Sequence, residues 1–178
     1  QVDNCRAAVA ALDAMSATGW RISTVAVERG LAEVRWPARA EIVTQGPPLV
    51  LADGALNEAS ALALASTLAR HFPGRSPVVL VAGGTFGHDY TSTARTLVRA
   101  CAGDRGQDAV RLVVTRSRHP KAVPPVEFAA ALKDDNVHVA AKEPDMAAAL
   151  ETARALAGRS GMVAATGSLF IAAAAIEL

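Results

Sequence analysis

The apolar and polar positions of the chain follow two patterns, which alternate along most of its length. Short continuous apolar runs are typical of strands buried on both faces, and apolar residues three or four positions apart predict helices. The runs predict strands at 40–44, 49–53, 77–82, 110–115, 137–140 and 161–165. The helical spacing predicts helices at 3–18, 23–33, 58–71, 91–102, 126–132 and 144–157, and a final helix capped by Ser168.

Strands that alternate with helices of this length predict an α/β fold. We expect a Rossmann-like three-layer sandwich, in which helices cover both faces of a mostly parallel, six-stranded sheet. The strand at 40–44 is an exception, because the link Gln45–Pro48 is too short for a parallel crossover. This strand is therefore predicted to be antiparallel to its neighbour.

The first two predicted helices differ from the rest of the chain because no strand accompanies them before Pro37. We predict a helical connector at 1–35, formed by the end of a preceding domain, and an α/β domain at 36–178. The chain begins with Gln1 in a helical pattern and without Met, which favours a fragment of a longer protein.

Composition narrows the function classes. Apolar residues make up 51% of the chain and aromatic residues only 4%, which predicts a core of Ala, Val and Leu. A formal net charge of +1, with no basic run among aromatics, gives no sign of a nucleic-acid partner. No apolar stretch approaches the roughly 18 residues of a membrane span, and no signal peptide is visible. Cys5 and Cys101 have neither metal-site nor disulfide spacing, which favours a cytoplasmic location.

Polar residues with chemical potential follow the predicted strands. The carboxyl ends of parallel strands share one edge of a sheet, where open α/β folds bind ligands. The loops at that edge contain Asp53, Asn57, His88, Asp89, Arg116, Arg118, His119, Lys121, Thr166 and Ser168. Acids, basic groups and helix N-termini together suit an anionic, hydroxylated ligand, such as a nucleotide or a carboxylate-rich metabolite.

Each of these residues also has a structural alternative. Asp53 follows a buried strand, where it either meets a ligand or caps the next turn. Asn57 and Asp89 stand directly before predicted helices and are candidate N-caps. A lone histidine in a loop, such as His88, is more often a surface residue than a ligand or a base.

Two further loops have the same ambiguity. The basic loop Arg116–Lys121 is either solvated or clamps carboxylates or phosphates. The segment Thr166–Ser168 is either a tight turn with a cap or an anion site at a helix N-terminus. The chain contains no GxxxxGK[ST] phosphate loop, no GxSxG nucleophile motif and no metal-ligand spacing.

Several motifs in order resemble one family, over essentially the whole chain. RWPARAE at 35–41 resembles W-P-G-R-x-E, LADGALNE at 51–58 resembles L-D-G-A-H-N-P, Gly83 with His88-Asp89 resembles G-x(4)-K-D, and TGSLF at 166–170 resembles T-G-S-L-[YF]. The chain is thus similar to the C-terminal domain of folylpolyglutamate synthase/dihydrofolate synthase, in the Mur ligase superfamily. It departs from that pattern at Ala38 for glycine, Leu56 for histidine, Glu58 for proline and His88 for lysine.

The resemblance implies a Mur ligase C-terminal fold and an ATP-dependent amide ligase. Such enzymes phosphorylate a substrate carboxylate, and the amine of glutamate then attacks the acyl phosphate. The resemblance implies that Arg39 is catalytic and reaches the ATP phosphates, and that Asp53 and Asn57 contact the nucleotide. It implies amino-acid binding by His88, Asp89, Arg116, Arg118 and Ser168.

The resemblance also implies missing partners. The phosphate loop and the Mg2+ ligands would lie outside this chain, in the N-terminal and central ATPase domains of the same polypeptide. The substrates would be glutamate and a folate-like acid, and the chain alone would be inactive. Leucine at 56 cannot form a hydrogen bond, which leaves open a non-catalytic nucleotide- or metabolite-binding module diverged from this family.

Overall fold

The computed structural model describes residues 2–103, 106–135 and 137–178. Contacts divide the chain into two units, Gln1–Trp36 and Pro37–Leu178. The first unit contains α1 (Val2–Ala17) and α2 (Thr24–Glu33), and Ser23 caps α2 by accepting a hydrogen bond from the Ala26 N–H. None of the residues in these two helices is buried, so this unit has no hydrophobic core of its own.

The second unit has the alternating strands and helices that the sequence predicts. Its strands are β1 (Glu41–Thr44), β2 (Leu49–Ala52), β3 (Val78–Ala82), β4 (Val110–Val114), β5 (Val139–Lys142) and β6 (Met162–Thr166). Its helices are α3 (Glu58–His71), α4 (Tyr90–Ala102), α5 (Pro125–Ala131), α6 (Met146–Ala157) and α7 (Leu169–Ile176). No described helix is both long enough and apolar enough to cross a membrane.

The described strands form one six-stranded sheet in the order β1-β2-β6-β3-β4-β5. β1 pairs antiparallel with β2, and the other four pairings are parallel. The predicted fold class is therefore confirmed, including its one antiparallel strand. β6 lies between β2 and β3, so the loop after β6 lies between the loops that follow β2 and β3.

Helices cover both faces of the sheet. Successive residues of a strand point to opposite faces, so the strands contribute side chains to two separate cores. Leu51 and Leu80 join a core under α3, α4 and α5, which also contains Leu64, Leu97 and Phe128. Val50, Val79 and Val113 join a second core under α6 and α7, with Met146, Leu150 and Ile171. Most of the buried side chains are Ala, Val and Leu, as the composition predicts.

Two element starts differ from the sequence prediction by two residues, and the others agree to within one residue. The strand predicted at 137–140 begins at Val139, because β5 is an edge strand whose ladder with β4 starts only at the Leu112–Val139 pair. Val137 instead lies in the core under α5. The helix predicted from position 144 begins at Met146, because the Asp145 side chain accepts the Ala148 N–H and is its N-cap.

Candidate functional site

Asp53 lies directly after β2, at the carboxyl edge of the sheet. Its backbone N–H donates to the carbonyl oxygen of Ala165 in β6 at 2.9 Å. Its side-chain Oδ2 accepts the Ala40 N–H at 2.8 Å, and Oδ1 accepts the Ala55 N–H at 2.9 Å. The turn-capping alternative is therefore confirmed, and one lone pair on each oxygen remains for a ligand.

The environment of Asp53 acts on its charge in two directions. Burial raises the pKa of Asp53 above its ordinary 3.8, and this effect exceeds the lowering by the Ala40 and Ala55 N–H groups and by the Arg39 charge. Asp89 is the opposite case: hydrogen bonds from the Ser92 N–H and the Thr91 hydroxyl lower its pKa. The two carboxylates differ because Asp53 is half-buried and Asp89 is exposed.

We expect these two carboxylates to titrate on opposite sides of pH 3.8. The raised pKa of Asp53 contributes stability that is complete below pH 3.8 and is lost as the pH rises through the folded-state value. The lowered pKa of Asp89 contributes stability above pH 3.8 that is lost as the pH falls through its folded-state value. A titration of the side-chain carboxyl carbons by NMR measures both, and an Asp53 midpoint below 3.8 would contradict the argument.

Arg39 lies on the turn that precedes β1, and its side chain is exposed. The Ala40 N–H, bound by Asp53, belongs to the peptide group that follows Arg39. Arg39 also acts electrostatically on the Asp53 carboxylate. The structure therefore brings Arg39 and Asp53 together at the end of β2 and β6.

Three other predicted site residues are helix caps. Asn57 accepts the Ser60 N–H, and the Ser60 hydroxyl oxygen accepts the Asn57 N–H, which completes a capping box for α3. Asp89 caps α4 through the Ser92 N–H, and Ser168 caps α7 through the Ile171 N–H. The predicted capping roles are confirmed, and Ser168 is buried whereas Asn57 and Asp89 are exposed.

The loops after β3 and β4 are joined by backbone hydrogen bonds. Thr85 and Ala122 form an antiparallel bridge. The Phe86 N–H donates to the Lys121 oxygen at 2.8 Å, and the Val123 N–H donates to the Gly84 oxygen at 3.0 Å. These bonds join the loop that contains His88 to the basic loop 116–121. We call the paired residues 84–86 and 121–123 the loop ladder.

Four cavities lie along this edge of the described chain. One of about 190 Å³ is lined by His88 and Ser168, and one of about 280 Å³ by Asn57, His88 and Asp89. Leu56 lines both of these smaller cavities. The two larger cavities, of about 650 Å³ and 470 Å³, are both lined by Arg116 and Arg118. The predicted substrate residues therefore fall into two groups rather than into one pocket.

An aromatic contact separates these groups. The rings of His119 and Phe170 stack with centroids 4.3 Å apart and an interplanar angle of 26°. Phe170 lines both the 190 Å³ and the 650 Å³ cavity. The sequence analysis gave Phe170 no role of its own, although the aromatic at the end of the TGSLF motif was the available signal.

Thr85 is a second residue that the sequence analysis missed. It lines the 190 Å³ cavity and is only 8% exposed. Its Oγ1 is buried and has no hydrogen-bond partner. Nothing in the sequence distinguishes this threonine, because its burial results from the loop ladder.

The part of the chain that the structure describes contains no group of three or more His, Cys, Asp or Glu side chains that could hold a metal ion.

The sheet order and the edge residues first define a class of protein: an open α/β domain with a candidate ligand site at the carboxyl ends of its strands. A family model for the Mur ligase, glutamate ligase domain, matches residues 38–169. The chain therefore belongs to the Mur ligase family, and its residues 38–169 match the glutamate ligase domain. The resemblance to folylpolyglutamate synthases inferred from the motifs is confirmed.

Solved structures show the same similarity. The folylpolyglutamate synthase of Mycobacterium tuberculosis, complexed with ADP and AMPPCP, superposes with a TM-score of 0.69 at 29% identity, over 89% of this chain and 35% of that one. A bifunctional folylpolyglutamate synthase/dihydrofolate synthase with Mn, AMPPNP and L-glutamate bound gives 0.71 at 23% identity, over 94% and 38%. E. coli FolC in complex with DHPP and ADP gives 0.70 at 24% identity, over 94% and 37%.

The last two likenesses show the fold alone, because their sequence identities are low. The chain spans little more than a third of the length of each of these three proteins. The comparison with curated proteins found no match.

Proposed function

We propose that this chain is the C-terminal domain of an ATP-dependent, folylpolyglutamate synthase-like amide ligase. The reaction forms an acyl phosphate on a folate-like acid, which the amine of glutamate then attacks. The observation that carries the proposal is the exposed Arg39 on a turn anchored by Asp53, beside the end of β6. Family membership and similar structures complexed with ADP or AMPPCP support the nucleotide.

The residues at this edge fit a nucleotide. The Arg39 guanidinium is exposed and offers paired N–H donors to phosphate oxygens. Asp53 retains acceptor capacity for a ribose hydroxyl, and Asn57, exposed at the start of α3, completes the proposed contact. ATP supplies the phosphoryl group that activates the carboxylate. Arg39 would bind the charge that grows on the phosphate oxygens in the transition state.

The second group of residues suits the incoming amino acid. Ser168, His88 and Asp89 lie around the two smaller cavities, at the N-termini of α7 and α4. We propose that these three residues contact glutamate together with Arg116 and Arg118, which lie on the other side of the His119–Phe170 stack. Guanidinium groups bind carboxylates by two parallel hydrogen bonds, which suits a dicarboxylic amino acid.

The chain needs a further part to act. We propose that residues 1–35 come from the end of a central ATPase domain, because α1 and α2 bury none of their residues. The phosphate loop and the Mg2+ ligands would then lie in the N-terminal and central domains of the same polypeptide. Cys5 and Cys101 are free thiols, which supports a cytoplasmic location.

One observation favours a second function. Leu56 lines both smaller cavities and stands where the family motif has histidine. A leucine side chain neither donates nor accepts a hydrogen bond. The second candidate is therefore a nucleotide- or metabolite-binding module that has lost ligation.

Ligation assays separate the two functions. We expect the longer polypeptide to release phosphate from ATP only when glutamate and a folate-like acid are both present, and residues 1–178 alone to release none. We expect Leu56→His to raise kcat, because it restores a hydrogen-bonding side chain at both cavities. Leu62→His is the matched control, since Leu62 is exposed on α3. A polypeptide that binds ATP but never ligates, with or without Leu56→His, would support the binding module instead.

A further inference from the structure

The turn that carries Arg39 has an unusual backbone. Ala38 has a φ of 60° and Ala40 a φ of 49°, and both lie in the left-handed region that alanine rarely adopts. The family motif has glycine at the first of these positions, where such a φ is free of strain. Surrounding contacts must therefore hold the two alanines in place.

Three hydrogen bonds hold this turn. The Gly54 N–H donates to the Ala38 oxygen at 2.8 Å, which anchors the peptide group before Arg39. Asp53 accepts the Ala40 N–H at 2.8 Å, which anchors the peptide group after Arg39. With both peptide groups fixed, the backbone of Arg39 and the direction of its Cα–Cβ bond are fixed as well.

The third bond comes from Glu41, the first residue of β1. Its Oε2 accepts the Ala38 N–H at 2.8 Å, which holds the peptide group that sets the φ of Ala38. Glu41 is half-buried, and its backbone is held by the pairing of β1 with β2, in which it lies opposite Ala52. A carboxylate fixed on a strand therefore stabilises a backbone conformation that the alanine side chain disfavours.

We propose that Glu41 is a positioning residue for Arg39, acting through the strained conformation of Ala38. Glu41 uses one oxygen for this bond, so a glutamine can replace it with its amide oxygen. Asp53 uses both oxygens, so an asparagine would keep one of its two bonds and oppose the other. The inference rests on the proposed function for its kinetic consequence but not for its structural one.

The kinetic test uses the longer polypeptide. We expect Glu41→Ala to lower kcat about 10-fold to 100-fold, since small displacements of a reacting group have effects of this size, while the KM for glutamate stays within about 2-fold. Glu41→Gln should keep kcat within about 3-fold of the unchanged protein. The loss caused by Glu41→Ala should shrink in an Ala38→Gly background, because glycine adopts this φ without strain.

Glu151→Ala is the matched control, because Glu151 is exposed on α6. Unchanged kcat in Glu41→Ala would overturn the proposal. Equal losses in Glu41→Gln and Glu41→Ala would also overturn it, because the charge rather than the hydrogen bond would then matter.

A structural readout separates this inference from the proposed function. In residues 1–178, NMR amide shifts of Ala38 and Arg39 should move in Glu41→Ala and return towards their original values in Glu41→Gln. Faster hydrogen exchange at the Ala38 N–H should accompany the Glu41→Ala shift, since its acceptor is lost. If the longer polypeptide shows no ligation while these shifts occur, the proposed function fails and the positioning role stands. Unmoved shifts in Glu41→Ala would overturn the positioning role.

Discussion

We expect Arg39→Ala to lower the kcat of the proposed ligation by about 100-fold to 1,000-fold, the loss typical when one donor to transition-state charge is removed. The reason is geometric: the peptide groups on both sides of Arg39 are anchored, so the guanidinium is presented from a fixed backbone. Arg39→Lys keeps the charge but loses the paired donors, and we expect it to recover only part of the rate. Steady-state kinetics of the longer polypeptide measure both variants.

Arg159→Ala is the control for Arg39→Ala. Arg159 is exposed in the turn before β6, at the opposite edge of the sheet. We expect Arg159→Ala to keep kcat within about 2-fold of the unchanged protein, because screened surface charges at the opposite edge have little effect. Equal rates for Arg39→Ala and the unchanged protein would exclude Arg39 from the reaction.

We expect Gly167→Ala to destabilise the domain by about 3 kcal/mol, because the change combines backbone strain with steric overlap. Gly167 has a φ of 93°, and a Cβ there would lie 2.7 Å from the Gly83 oxygen. Because that oxygen belongs to the backbone after β3, neither loop can yield without disturbing the sheet edge. Urea-induced unfolding followed by circular dichroism measures the loss.

Gly87→Ala isolates the backbone part of this effect. Gly87 has the same φ of 93°, and a Cβ there would have no atom within 4 Å. We therefore expect Gly87→Ala to cost about 1–2 kcal/mol, the penalty of the left-handed conformation alone. Equal losses at the two glycines would show that the close approach to Gly83 contributes nothing.

Sequence reasoning found the parts of the site that depend on local chemistry. Asn57, Asp89 and Ser168 cap helices through N–H groups three residues ahead, and such bonds can be predicted from residue type and spacing. The apolar run before Asp53 predicted its position at the end of a strand. The observed sheet order places this strand beside β6. The roles proposed for these residues toward substrates stay predictions.

The features that sequence reasoning missed depend on contacts between distant segments. The bond between Asp53 and the Ala40 N–H crosses 13 positions in the sequence. The left-handed alanines oppose their own backbone preference, so tertiary hydrogen bonds rather than local propensity decide their conformation. The His119–Phe170 stack joins a loop after β4 to α7, which no local pattern indicates.

The loop ladder has a consequence for any redesign of the proposed amino-acid site. Bonds between Phe86 and Lys121, and between Gly84 and Val123, tie one loop's backbone to the other's. A loop grafted from a relative into only one of these segments would lose its backbone hydrogen bonds to the other, and the other loop would be displaced as well. Residues 83–89 and 116–123 should therefore be exchanged as a single cassette.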